Sequence, residues 1–154
     1  MQTGDVVPDF ELPDETGAPR RLSDLLGAGP VVLFFYPAAM TPGCTKESCH
    51  FRDLQSEFTA VGAQRVGISA DPVDKQLAFS EKHVFDFPLL SDPDRAVAES
   101  LGVKRMLRVV GPNRRTTFVI DTDRTLLAVL DSQLNMNAHA DGALEVLRRR
   151  SAPA

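Results

Sequence analysis

Val31-Val32-Leu33-Phe34-Phe35-Tyr36-Pro37-Ala38-Ala39-Met40-Thr41-Pro42-Gly43-Cys44 is the stretch whose reading decides the fold. Its first part, Val31 to Tyr36, is a continuous apolar run of β-branched and aromatic residues bounded by Gly29-Pro30 and Pro37. A run without polar alternation predicts a strand covered on both faces. Its second part starts a helix. Thr41 suits the N-cap, and Pro42 suits the first helical position, where its missing N–H costs nothing. The helix is predicted from Pro42 to about Ala60, with Phe51, Leu54, Phe58 and Val61 as its buried stripe.

Outward from this unit, strand and helix signals alternate. Arg65 to Ala70 reads as a strand. Asp71-Pro72 starts a helix through about Val84, with Leu77 and Phe79 as apolar candidates. Phe87-Pro88-Leu89-Leu90 is a short strand, and Asp94 to Leu101 a helix stopped by Gly102. Thr116 to Asp121 and Leu126 to Asp131 form strands joined across Thr122-Asp123-Arg124-Thr125, and His139 to Arg150 is the last helix. The order β-α-β-α-β-α-β-β-α predicts an α/β fold with helices on both sheet faces, and the late hairpin makes the sheet mixed. Residues 1–30 are punctuated by proline and glycine, with only short strand candidates such as Phe10-Glu11-Leu12, and read as an N-terminal extension. The expectation is a single domain over residues 1–150 and a frayed tail at 151–154.

Bulk composition narrows the function. At 154 residues and 43% hydrophobic, the chain can bury one core without disulfide or metal staples. Its two cysteines are too few for a disulfide scaffold or a four-thiolate zinc site, but enough for one redox couple. A net charge of −4 argues against a nucleic-acid partner, and Arg148-Arg149-Arg150 reads as cations favoured in the last turn of a helix. No run approaches the ~20 apolar residues of a membrane helix. Met1 to Asp5 lacks the basic-then-apolar pattern of a signal peptide, so a cytoplasmic location is expected, with no membrane partner.

The register of the second helix puts Cys44 in its first turn, where unpaired N–H groups and the positive helix end favour thiolate. Its pKa is therefore expected to fall below the free value of about 8.5. Cys49 lies five residues on. In an intact helix those Cα atoms stand about 8 to 9 Å apart and point about 140° away from each other. A disulfide needs a Cα separation of at most about 6.8 Å, so a Cys44–Cys49 bond requires the helix start to unwind. That spacing suits a switch and is not the C-x-x-C of a dithiol oxidoreductase.

Pro37-x-x-x-Thr41-x-x-Cys44, extended by Thr45-Lys46-Glu47-Ser48-Cys49, resembles the peroxidatic motif of the peroxiredoxins, in particular the peroxiredoxin Q or bacterioferritin comigratory protein branch. Gly67 to Asp71, Phe87 to Asp92 and Arg115 to Asp121 are similar to family segments in family order, so the resemblance spans about residues 4–148. It implies a thioredoxin fold with an N-terminal extension, and a thiol peroxidase acting on hydrogen peroxide and organic hydroperoxides. It assigns Cys44 as the peroxidatic nucleophile oxidised to sulfenic acid. Cys49 becomes the resolving cysteine, Thr41 a hydrogen-bonding group to peroxide and thiolate, and Pro37 a shield of the pocket. Arg115 becomes the charge that stabilises thiolate and transition state. Thioredoxin or a similar dithiol would reset the disulfide, and no cofactor or metal is called for. Resolution within one chain makes a monomer sufficient and leaves a dimer open.

Some points stay open. Arg114 and Arg115 are adjacent and alternate in direction; the family pattern Arg-x-Thr/Ser-Phe selects Arg115. Glu47 reads equally as a partner for an arginine at the site or as an exposed carboxylate. Ala38-Ala39-Met40 replaces polar residues common in the branch, which leans towards organic hydroperoxides. Residues Val103 to Asn113 match poorly, and Asn135-Met136-Asn137 is unusual. Rival readings are a thiol–disulfide oxidoreductase or one-cysteine peroxidase with Cys49 incidental, and a non-enzymatic thioredoxin-fold binding or chaperone module. Cys44, Cys49 and His50 lack zinc spacing, and His83 and His139, distant in sequence, read as surface or packing residues.

Overall fold

The computed structural model describes residues 1–107 and 110–151. The chain begins with a small hairpin, β1 (Glu11–Pro13) and β2 (Pro19–Arg21), followed by helix α1 (Leu22–Leu26). Then come β3 (Val31–Phe35), α2 (Pro42–Asp53), α3 (Gln55–Ala60), β4 (Gln64–Ser69), α4 (Val73–His83), β5 (Leu89–Ser91) and α5 (Ala96–Ser100). A second hairpin, β6 (Arg105–Leu107) and β7 (Val110–Asn113), precedes β8 (Thr116–Ile120), β9 (Leu126–Asp131) and α6 (Asn137–Ser151).

The central sheet has the order β5-β4-β3-β8-β9. Strand β3 pairs parallel with β4 and antiparallel with β8; β4–β5 is parallel and β8–β9 antiparallel. The sheet is therefore mixed, as the late hairpin predicted. Every residue of β3 is buried because strand alternation feeds two cores. Val31, Leu33 and Phe35 pack with Leu22, Leu25 and Leu26 of α1 and Val97 and Ala98 of α5. Val32, Phe34 and Tyr36 pack on the other face with Cys44, Phe51, Phe58, Phe79 and the Ala140, Ala143, Leu144 and Leu147 stripe of α6.

Three expectations need correction. The helix predicted from Pro42 to Ala60 is two helices, interrupted at Leu54 (φ −93°, ψ 22°). The cause is Arg65 of β4, whose Nη1 donates to the Phe51 carbonyl at 2.8 Å, the acceptor an unbroken helix would have used. Leu77 is 37% exposed while Phe79 is fully buried, since residues two apart on a helix cannot share a face. Within the N-terminal extension, residues 19–26 hold a strand and a short helix, and part of the poorly matching 103–113 segment is the β6–β7 hairpin. Ser151, read as tail, ends α6, and residues 152–154 lie outside the described residues. Among the described residues, no helix is long and apolar enough to cross a membrane.

Candidate active site

The site forms where β3 ends and α2 begins. Tyr36 is buried, and its hydroxyl donates to Gln76 Oε1 at 2.5 Å. The following turn is tied down from β4: the Ala39 N–H donates to Asp71 Oδ2 at 2.7 Å, and Ser69 Oγ donates to the same oxygen at 2.6 Å. Gln76 Nε2 in turn donates to Ser69 Oγ and the Leu90 carbonyl. So anchored, the chain passes through Met40 in the left-handed region (φ 69°), a strained conformation for a non-glycine residue. It then enters α2 at Pro42.

Thr41 occupies the N-cap position with extended dihedrals, but its side chain makes no capping bond. The hydroxyl turns back and donates to the Ala38 carbonyl at 2.8 Å. Cys44 follows in the first turn, fully buried and unbonded to any other cysteine. Arg115 Nη2 lies 3.6 Å from Cys44 Sγ. Arg114 instead reaches Asp131 at 3.4 Å on a half-exposed surface. Pro37 is half-buried beside the turn. Of the expected set, Thr41, Cys44 and Arg115 therefore lie together. Cys49 sits in the same helix, half-exposed and free.

The expected thiol acidity is not met in this closed pocket. Burial pushes Cys44 up, against the Thr41 hydroxyl, the Ala38 N–H and Arg115, which pull it down; Glu47 adds to the rise. The helix start alone does not outweigh removal from water. Burial also pushes up the half-exposed Cys49.

Several residues of the site were not legible in sequence. Gln133 accepts from the Arg115 N–H at 2.9 Å and returns a bond to the Arg115 carbonyl at 3.1 Å, fixing the backbone of that arginine. A Cβ on Gly43 would press into the Arg115 guanidinium, with the Met136 methyl 3.7 Å away. Glu47 is no surface carboxylate: it is wholly buried, and burial raises its pKa to about 8 against the pull of Arg115. His139, read as a packing residue, is wholly buried beside it. Its Nδ1 lies 2.8 Å from Thr117 Oγ1, its Nε2 2.8 Å from the Ser132 carbonyl and 3.4 Å from Glu47 Oε2. A carbonyl accepts only, so Nε2 carries the proton and Nδ1 accepts from Thr117. Burial depresses His139 and raises Glu47, so each is pushed towards its uncharged form. Among the described residues, neither Glu47 oxygen has a hydrogen-bond partner. The unusual Asn135-Met136-Asn137 stretch, which leads into α6, was the one sequence sign of this region.

Residues 3–129 match the AhpC/TSA family model. The chain is 66% identical over 149 residues to a putative peroxiredoxin of Mycobacterium tuberculosis, covering 96% of this chain and 97% of that one. It is 38% identical over 143 residues to peroxiredoxin Bcp of Escherichia coli, covering 90% and 91% respectively. Its structure is similar to the crystal structure of peroxidoxin BcpB from Mycobacterium tuberculosis, with a TM-score of 0.94, 64% identity and 99% of both chains covered.

Proposed function

The chain belongs to the AhpC/TSA family as a peroxiredoxin of the bacterioferritin comigratory protein and peroxiredoxin Q branch, and from that premise we propose the cycle its residues carry out. It is a thiol peroxidase with a thioredoxin fold. The Cys44 thiolate attacks the terminal oxygen of a hydroperoxide; an S–O bond forms, the O–O bond breaks, and the alcohol or water leaves with a proton. The observation that carries this reading is Arg115 Nη2 at 3.6 Å from a buried Cys44 Sγ at the start of α2. A fixed cation there stabilises both the thiolate and the charge on the departing oxygen. Thr41 stands beside the thiol to donate or accept as the oxygen is displaced. Pro37 shields the pocket.

Cys49 then resolves the sulfenic acid. Its thiol attacks the Cys44 sulfur, the disulfide forms and water leaves. Both cysteines are free and lie in one helix, so its first turns unwind for this step. Thioredoxin or a similar dithiol returns the disulfide to two thiols. The rim carries Met40, 38% exposed, and the half-buried Met136, an apolar edge that favours organic hydroperoxides alongside hydrogen peroxide. All of this takes place within one folded unit, residues 1–150, in the cytoplasm.

The test is stopped-flow consumption of hydrogen peroxide and of an organic hydroperoxide by wild type, Cys44→Ser and Cys49→Ser. Cys44→Ser is expected to be inactive, and Cys49→Ser to react once without recycling through an internal disulfide. Turnover retained in Cys44→Ser overturns the nucleophile assignment. Two free thiols in oxidised wild type, by mass spectrometry, overturn the resolving role.

A further inference from the structure

Glu47 lies between the two cysteines, on the segment that must unwind for Cys49 to reach Cys44. It is wholly buried, with no hydrogen-bond partner for either carboxyl oxygen among the described residues, an arrangement that favours the uncharged group while the helix is docked. We propose that Glu47 is a proton-operated latch on the peroxidatic helix: protonated it lets α2 dock with Cys44 in the site, and ionised it leaves with the unwound segment. The proposal rests on the Cys44–Cys49 resolving cycle above.

The groups facing Glu47 are few. Arg115, just ahead of β8, opposes protonation of Glu47. His139 of α6 is held by Thr117 and Ser132, so it stays when α2 loosens. Cys44, on its own helix, is itself pushed towards the neutral thiol. One further pair joins α2 to α6, His50 Nε2 to Asp141 Oδ1 at 2.8 Å.

The sign of the linkage follows. The docked carboxyl binds its proton up to about pH 8, and the released one only to its ordinary value of 4.5. Docking therefore takes up a proton between those limits, and the unwound form gains about tenfold per pH unit across them. At neutral pH an uncharged Glu47 also removes the one neighbour that opposes the Cys44 thiolate.

Reduction of the disulfide then consumes two electrons and three protons: two for the thiols and one for Glu47 as α2 redocks. The test is the midpoint potential of the Cys44–Cys49 couple from pH 5 to 7.5 in wild type, Glu47→Gln and His50→Gln, equilibrated against a dithiol buffer. Wild type is expected to be steeper than Glu47→Gln by one proton, a tenfold change per pH unit or about 30 mV for a two-electron couple. His50→Gln is expected to keep the wild-type slope. Proton uptake on reducing wild type at pH 6 reads the same quantity without a variant; three protons support the latch and two overturn it. Equal slopes in wild type and Glu47→Gln overturn it, as does loss of the extra slope in His50→Gln. Absence of any Cys44–Cys49 disulfide overturns the resolving cycle, and the latch with it.

Discussion

Gln133 and Arg115 hold each other through two hydrogen bonds, side-chain oxygen to backbone N–H and side-chain amide to backbone carbonyl. The clamp sets where the arginine leaves the backbone before its guanidinium reaches Cys44. Gln133→Ala is expected to slow Cys44 oxidation about tenfold or more, since small displacements of a charge at the reacting atoms cost rate steeply. The stability loss is about 1–2 kcal/mol for two hydrogen bonds at a half-exposed position. Stopped-flow oxidation and urea unfolding of the same variant measure the two effects.

Arg115→Met is expected to slow oxidation about 10²- to 10³-fold, the usual effect of removing a preorganised charge from a developing anion. Arg114→Met removes only the surface contact with Asp131 and is expected to leave the rate within about twofold. The reverse ranking in a pre-steady-state assay would reassign the cation.

A side chain at Gly43 would run into Arg115 Nη2, the nitrogen that faces Cys44. Gly43→Ala is expected to push Arg115 off Cys44 and to lower the oxidation rate about tenfold to a hundredfold while the protein stays folded. Combining it with Arg115→Met is expected to cost no more than Arg115→Met alone. Additive losses would show that Gly43 acts some other way.

Phe51 stacks on Phe34 with ring centroids 4.1 Å apart and contacts Phe58 at 5.8 Å, joining α2 to the sheet. Phe51→Ala is expected to cost about 3–5 kcal/mol in urea unfolding. A loss under about 1 kcal/mol would show that α2 is not anchored there.

The legible parts of the chain were those set by neighbours in sequence. The run from Val31 to Tyr36 marks β3 because burial on both faces leaves no polar alternation, and Pro42 marks the helix start because a proline fits the first helical position, a local matter. The break at Leu54 was not legible, because it depends on Arg65 arriving from another strand. The acidity of Cys44 was misread for a related reason: helix position is local, whereas loss of water depends on the whole core that closes over the thiol. Glu47 was left between a site partner and an exposed carboxylate, and His139 looked like a surface or packing residue, since only the docking of α6 on α2 makes them neighbours.

Strand β4 and the turn after it hold both ends of the peroxidatic segment. Asp71 grips the Ala39 N–H on one side, and Arg65 grips the Phe51 carbonyl on the other. The eleven or so residues between them are strung like a cord on a bow, free to change shape while the bow stays rigid. For an engineer this makes 40–50 an exchangeable cassette: a segment of the same length with different rim side chains or cysteine spacing could be fitted between those anchors, retuning the chemistry without rebuilding the sheet.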